Sequence, residues 1–364
     1  MKSKILIYRF GQLGDTIAAI PAIEAIRQHF PGREIVLLSE TVTHETHLGP
    51  ALVLGETGLV DSFATYPAVG SARGALAALS KLRSLASDGA EALIYLVPSI
   101  RPRSRRLRDL MVFRLAGFSN ILGAGGFPDE ITPRQADGSL SYVEHETDAL
   151  LRRLAKDGML VPPSGKARID LRLQPAEREV AERWLSERGL ESGTGRQWFA
   201  ICPGSKWASK LWPTHHYAEL GLRLSRDLGW TPVVVGGKED QLLAGDLLAH
   251  WGSGFCAAGQ MGVRESAALM EQAGFYVGND TGAMHLAAAV ATPCVGIFSA
   301  QDWPGRWNPY GEIHRVLRTQ VECAGCMSAE CPNDVLCLRQ ISVETAYQAC
   351  REIAMGAKGH RGGE

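Results

Sequence analysis

Asp280, Thr281, Gly282 and His285 stand in "GNDTGAMHLAAA" at 278–289, directly before an alanine-rich run of helix formers. "AGFYVG" precedes them and "CVGIFS" follows past "VATP", both apolar and rich in aromatic or β-branched residues. The order is strand, tight loop, helix, strand. In such a unit the loop lies at the carboxyl end of the strand, where open α/β sheets bind ligands. A helix starting there presents unpaired N–H groups and the positive end of its dipole, which suits phosphate. The stretch reads as a phosphate cradle with a carboxylate beside it. Plainer roles stay open: Asp280 or Thr281 as an N-cap, and His285 as an ordinary helix residue. "DTG" is also the aspartic-protease triplet, but those enzymes carry two copies in β-rich lobes. Here there is one, followed by a helix.

Other strand ends add donors and charge. "PGSKWASKLWP" at 203–213 holds Ser205, Lys206 and Lys210, and "GGKED" at 236–240 holds Glu239. The first forty residues repeat the logic: strand "KILIYRF", turn "GQLGDT" with Asp15, helix with Ile17, Ile20, Ile23 and Ile26 at helical spacing, then strand "EIVLLS". Gly11 and Gly14 permit a tight turn and close backbone approach to a ligand. The turn is not G-x-G-x-x-G and no acid follows at the ribose position, which argues against a dinucleotide dehydrogenase. Positive charge and donors gather on one half, and a carboxylate stands on the other. That suits a phosphate-bearing ligand on the second half with its reactive end toward the first. A lysine offsets the charge that builds on a phosphate leaving group.

These residues need two scaffolds. The chain has 364 residues, too many for one ordinary core. With 45% apolar and 21% charged residues it has the composition of globular protein, and its formal net charge of -1 gives no field for nucleic acid. "MKSKILIYRFGQLGD" is too interrupted for a signal peptide, and no apolar run has the length of a membrane span. The expected location is the cytoplasm, with any membrane contact made peripherally. A first domain is expected over 1–170 and a linker region with an amphipathic helix over 171–195. A second α/β domain follows over 196–341, then a helix within 342–364 that packs back on the first domain, with the last eight residues disordered. Cys323, Cys326, Cys331 and Cys337 crowd into "CAGCMSAECPNDVLC". A structural metal and reduced, partly buried thiols both stay open for them. Between 101 and 114, Arg101, Arg103, Arg105, Arg106, Arg108 and Arg114 form a basic segment that either takes an anionic partner or is a solvated face.

The stretches "FGQLGDTIAAIPAI", "PGSKWASKLWPTHHYAEL", "VVVGG" and "GNDTGAMHLAAAVATPCVGIFS", in this order, resemble glycosyltransferase family 9, the heptosyltransferase family of lipopolysaccharide core assembly. The resemblance runs from residue 4 to about 350, including the cysteine run before a final helix. It implies a GT-B fold, two Rossmann-like doubly wound domains facing a central cleft, with the nucleotide sugar on the C-terminal one. It implies Asp15 as the general base and Lys210 as the group steadying the donor diphosphate. Thr281 and Gly282 become backbone donors to the diphosphate, Asp280 a grip on sugar hydroxyls, Ser205 a hydroxyl near phosphate and Glu239 a ribose contact, while His285 closes the motif. The implied activity is inverting transfer of a sugar, heptose from ADP-heptose, to a lipopolysaccharide-core or other surface-glycan acceptor. The acceptor would be an anionic glycolipid or glycan, met through Arg101–Arg114. No cofactor is required: no D-x-D metal motif is present, and Lys210 with the helix start stands in for magnesium. The alternatives are a nucleotide-sugar epimerase and a non-catalytic nucleotide- or metal-binding protein.

Overall fold

The computed structural model describes residues 3–41, 49–67, 72–128, 134–190 and 197–359. The chain divides into two compact units, Met1–Thr132 with Glu144–Arg172, and Pro133–Val143 with Leu173–Glu364.

In the first unit the elements run β1 (Lys4–Tyr8), α1 (Leu13–Ala18), α2 (Ile20–His29), β2 (Glu34–Glu40), α3 (Ala51–Leu54), β3 (Ser62–Tyr66), α4 (Ala72–Ser87), β4 (Ala90–Tyr95), α5 (Arg103–Ala116), β5 (Ile121–Leu122) and α6 (Glu146–Lys156). Every pairing in its sheet is parallel, and the strand order is β3-β2-β1-β4-β5. The order reverses at β1, so the turn after β1 opens on a switch point. Ile17, Ile20, Ile23 and Ile26 are all fully buried. The helix expected across them is broken at Ala19, which ends α1 and begins α2. Pro21 is the cause, because it has no N–H to bond the carbonyl four residues back.

The second unit runs α7 (Pro175–Ser186), β6 (Trp198–Cys202), α8 (Thr214–Leu228), β7 (Thr231–Val234), α9 (Gln241–Trp251), β8 (Phe255–Cys256), α10 (Val263–Glu271), β9 (Tyr276–Asn279), α11 (Gly282–Ala289), β10 (Cys294–Ile297), β11 (Arg315–Leu317), α12 (Leu336–Arg339) and α13 (Val343–Gly359). Its parallel sheet has the order β11-β10-β9-β6-β7-β8, and β6 and β9 flank the switch point. Two or more helices cover the core, where Trp212, Tyr217 and Leu338 are at most 1% exposed.

Three domain expectations differ from the structure. α13 belongs to the second unit, where it packs on α8 and buries Ala346, Tyr347, Cys350, Ile353 and Ala354 in that unit's core. It also continues to Gly359, into the stretch expected to be disordered. α7 is no free linker: it lies on α10, held by Arg264 to Glu177 at 2.5 Å and Arg178 to Glu271 at 2.7 Å. The segment 133–143 joins the second unit, where Leu140 enters the core and Val143 N–H donates to Pro304 at 2.8 Å. The end of the expected linker region, from 191 on, and the last five residues lie outside the described residues. Among the described residues no helix is long and apolar enough to cross a membrane.

Candidate active site

In the second unit, β6 is buried along its whole length and runs into Pro203, Gly204 and Ser205, while β9 runs into Asp280. Asn279, fully buried, ties the two strand ends together. Its amide donates to the carbonyls of Pro203 at 2.8 Å and Gly204 at 3.3 Å. Its oxygen accepts from Trp212 N–H at 3.2 Å and Tyr217 O–H at 2.9 Å. Two donors and two lone pairs are all that a side-chain amide has, so Asn279 is saturated. Glycine is required one position earlier: a Cβ on Gly278 would stand 2.6 Å from the Cys202 carbonyl oxygen and 2.5 Å from the Tyr276 hydroxyl.

This frame positions the charged residues. Lys210 ends a short turn, Ala208–Lys210, and its Nζ lies 2.6 Å from Asp280 Oδ2. Both are largely buried, with side chains 20% and 9% exposed. His285 Nε2 is 3.9 Å from Asp280 Oδ1, too far for a hydrogen bond, and its ring meets Trp307 edge-on. Ser209, inside the same turn, has its hydroxyl within reach of Gln301 Oε1 at 2.8 Å and the Ser328 carbonyl at 2.6 Å. α11 begins at Gly282 with Thr281 as N-cap residue, yet the Thr281 side chain makes no capping hydrogen bond. Thr281 Oγ1 is buried beside the Cys202 thiol and the Tyr276 hydroxyl, without a regular hydrogen bond. Burial, then the charge of Asp240, pushes that thiol up to about 12, so it stays protonated. The N-cap role read for Asp280 or Thr281 is therefore not made, and among the described residues no side chain accepts from the first N–H groups of α11.

Ser205 lies at the end of β6, where its Oγ accepts from Trp207 N–H at 3.3 Å and closes the turn. The structure thus places Ser205 and Lys210 between β6 and α8, Asp280 and Thr281 on the loop after β9, and Gly282 and His285 in α11, which follows. Glu239 is exposed and lies after β7, the other neighbour of β6. Sequence reasoning missed Asn279, whose signal was a polar residue ending an apolar strand. It also missed Asp240, which accepts from Gly237 N–H at 2.9 Å and whose carboxyl burial raises above the usual range. Arg318 was missed as well. It donates to the Asp302 carbonyl, burial lowers its pKa, and the charges of Asp302 and Asp280 are felt there.

In the first unit, Gly11 has φ +134°, and a Cβ there would lie 2.5 Å from that of Asp15. The turn therefore closes tightly on Asp15, the third residue of α1. Asp15 Oδ2 accepts from Gln12 N–H at 2.8 Å, so the capping reading of this residue holds for one oxygen. Oδ1 has no hydrogen-bond partner among the described residues. Beneath the turn, Arg9 is 2% exposed and donates to the carbonyls of Leu96 at 2.9 Å and of Asp15. Burial lowers its pKa, opposed by the charges of Asp15 and Glu146.

Glu146, 1% exposed, accepts from Ser99 N–H at 2.9 Å through Oε1, and Oε2 has no partner among the described residues. Burial pushes its carboxyl from 4.5 up to about 7, opposed by Ser99 N–H and the charges of Arg9 and Arg153. The folded state holds this proton more tightly than the unfolded chain, so its contribution to stability falls as pH rises from about 4.5 to 7. Glu146→Gln is expected to flatten the pH dependence of the melting temperature in that window. Above pH 7 the variant should be the more stable, by on the order of 2–3 kcal/mol. Melting curves from pH 4 to 8 check this, and a gap that widens toward acid would contradict it.

Of the basic segment, Arg101 and Arg108 bind Asp109 at 2.6 and 2.9 Å, and Tyr95 O–H donates to the same carboxylate at 2.8 Å. Part of the expected acceptor patch is thus internal bracing. Cys323, Cys326, Cys331 and Cys337 are free thiols, and Cys337 Sγ accepts from Ala300 N–H at 3.3 Å. Among the described residues no three His, Cys, Asp or Glu side chains are placed to hold a metal ion.

Residues 143–336, just over half of the chain, match the model of glycosyltransferase family 9 (heptosyltransferase). The chain belongs to glycosyltransferase family 9. A similar family protein is lipopolysaccharide heptosyltransferase 2 of Salmonella typhimurium, 31% identical over 129 residues, which is 34% of this chain and 36% of that protein. The chain thus spans about a third of the length of such relatives. The solved glycosyltransferase family 9 structure from Veillonella parvula overlays with TM-score 0.71 at 18% identity, covering 98% of both chains. The Escherichia coli ADP-heptose lipopolysaccharide heptosyltransferase II structure gives 0.65 at 18% identity, covering 98% of this chain and all of that one. The fold is GT-B, and the stretch matched to the family includes the loops after β6 and β9 at the second sheet's switch point.

Proposed function

We propose that this chain is an inverting glycosyltransferase that moves a heptose from ADP-heptose to an anionic lipopolysaccharide-core or other surface-glycan acceptor at the cytoplasmic face of a membrane. The observation that carries the reading is the Lys210–Asp280 pair beside the uncapped start of α11, at the switch point of a family 9 chain. Heptose and ADP come from the heptosyltransferases that the chain resembles, among them the Escherichia coli ADP-heptose lipopolysaccharide heptosyltransferase II.

In this reading the diphosphate lies against the N–H groups of Gly282 and the residues after it, with Thr281 at the turn and Ser205 opposite. Lys210 bridges the diphosphate and Asp280, and Asp280 takes sugar hydroxyls. Glu239 reaches the ribose, and His285 steadies the far oxygen of Asp280. An acceptor oxygen attacks the anomeric carbon and forms the new C–O bond. The bond from that carbon to the diphosphate oxygen breaks, and ADP leaves with the electron pair. Asp15 Oδ1 takes the acceptor proton, a task open to a weak base when the proton moves late. Lys210 and the α11 dipole offset the charge that grows on the leaving diphosphate, so we assign magnesium no necessary part.

Thermal melts with ADP, UDP, GDP, CMP and NAD, each with and without magnesium, test this. A ligand that binds only the folded state at a hundred times its dissociation constant adds about 2.7 kcal/mol. ADP alone is expected to raise the melting temperature, equally with and without magnesium. A shift with UDP or GDP instead would replace the donor. No shift with any nucleotide would overturn the reading.

A further inference from the structure

The exposed face of α5 is not the arginine patch that its composition suggests. Leu107, Met111 and Leu115 are 59%, 58% and 60% exposed. Spaced four apart, they fall within an arc of about 80° along roughly 12 Å of helix. Arg103 and Arg114 flank that arc on one side and Arg108 on the other, all exposed. Between 103 and 116 the one acid is Asp109, which is buried, so the exposed arc carries no carboxylate. Ile100, just before the helix, is 43% exposed. α4 packs on α5 and continues the character: Leu76 is 70% exposed, and the helix holds Arg73, Lys81 and Arg83 with no acid.

Single apolar residues on a surface are ordinary, but a contiguous row rimmed by one sign of charge marks an interaction site. We propose that the α4–α5 face of the first unit is a docking surface for an anionic lipid bilayer. Leu107, Met111 and Leu115 enter the boundary between headgroups and acyl chains. Arg103 and Arg114 lay their aliphatic stems along it and meet lipid phosphates, while Arg108, paired with Asp109, borders the other edge. A bilayer matches both features at once, whereas a protein partner would need an acidic rim around an apolar groove. The start of α5 also borders the Asp15 turn: Arg101 lies over the ring of Phe10 at 4.5 Å, next to Gly11. Docking by this face brings the turn to the lipid surface. The inference goes beyond the transferase reading and does not depend on the identity of the donor.

Sedimentation of the full chain with vesicles tests it, using equal parts phosphatidylglycerol and phosphatidylcholine against phosphatidylcholine alone. The wild type is expected to pellet with the anionic vesicles, less so as salt rises, and to stay in solution with the neutral ones. Leu107→Gln, Met111→Gln and Leu115→Gln together should weaken binding about tenfold or more. These side chains are exposed, so an unchanged melting temperature is expected. If the triple variant melts lower, Met111→Gln alone should still weaken binding several-fold. A wild type that ignores anionic vesicles, or a well-folded triple variant that binds them equally, would overturn the proposal. So would concentration-dependent self-association, without vesicle binding, that the triple variant abolishes.

Discussion

Asp15→Asn is expected to abolish transfer while leaving donor affinity within about twofold, because a general base contributes roughly 10²–10⁴ to rate and nothing to nucleotide binding. The choice of asparagine follows from the geometry. One Asp15 oxygen accepts from Gln12 N–H at 2.8 Å and holds the first turn of α1. Alanine would remove that bond as well as the base, and loss of such a cap costs about 1 kcal/mol. Asparagine keeps an acceptor oxygen for Gln12 and removes only the charge and basicity. Single-turnover transfer assays and nucleotide titrations on Asp15→Asn and Asp15→Ala then separate the two roles. If Asp15→Asn transfers normally and only Asp15→Ala melts early, Asp15 is a cap and the base lies elsewhere. Lost donor affinity with transfer retained would equally remove it from the proposed role.

The same residue shows what one sequence discloses. The turn, the two glycines and the carboxylate at the end of β1 were legible because a tight strand-to-helix turn limits which residues fit. Gly11, with φ +134° and no room for a Cβ against Asp15, is a local requirement that leaves a local mark. The α11 loop was legible for the same reason, and its glycine at 278 answers to a backbone contact one strand away. What lay beneath was not. Arg9 reads as one basic residue in an apolar run, yet it is buried and bonded to Asp15 and Leu96. Glu146 stands 137 positions further on in a helix start that could face water, and only the fold brings it near Arg9. Helical spacing shows that α13 has an apolar face, with Ala346, Cys350 and Ile353 along it, but not which sheet that face covers. Charge density misled in the opposite way. Six arginines suggested one patch, whereas one buried acid, Asp109, gathers two of them and leaves apolar residues at the centre of the exposed face.

Lys210→Ala is expected to weaken donor binding and slow transfer together, where Asp15→Asn separates them. The lysine has two loads. Within the protein it neutralises Asp280 at 2.6 Å, where both side chains are largely out of water. In the proposed complex it also faces the diphosphate, whose charge rises as the bond to the sugar breaks, so its value is greater in the transition state than in the ground state. Removing one preorganised charge partner of this kind costs roughly 10²–10³ in rate. It also leaves Asp280 without its ion-pair partner and with a diphosphate approaching it, so repulsion adds to the lost attraction. Lys210→Ala with Asp280→Ala should therefore bind ADP better than Lys210→Ala alone, since the second change removes the unpaired charge. ADP titrations on the two single variants and the double variant measure that coupling. If the second change weakens ADP binding further by its full single-variant effect, the two residues act on the nucleotide independently. If Lys210→Ala moves neither affinity nor rate, the pair only braces the turn at 208–210, and the charge on the leaving diphosphate is met by other groups, of which half-buried Arg318 is the first to test.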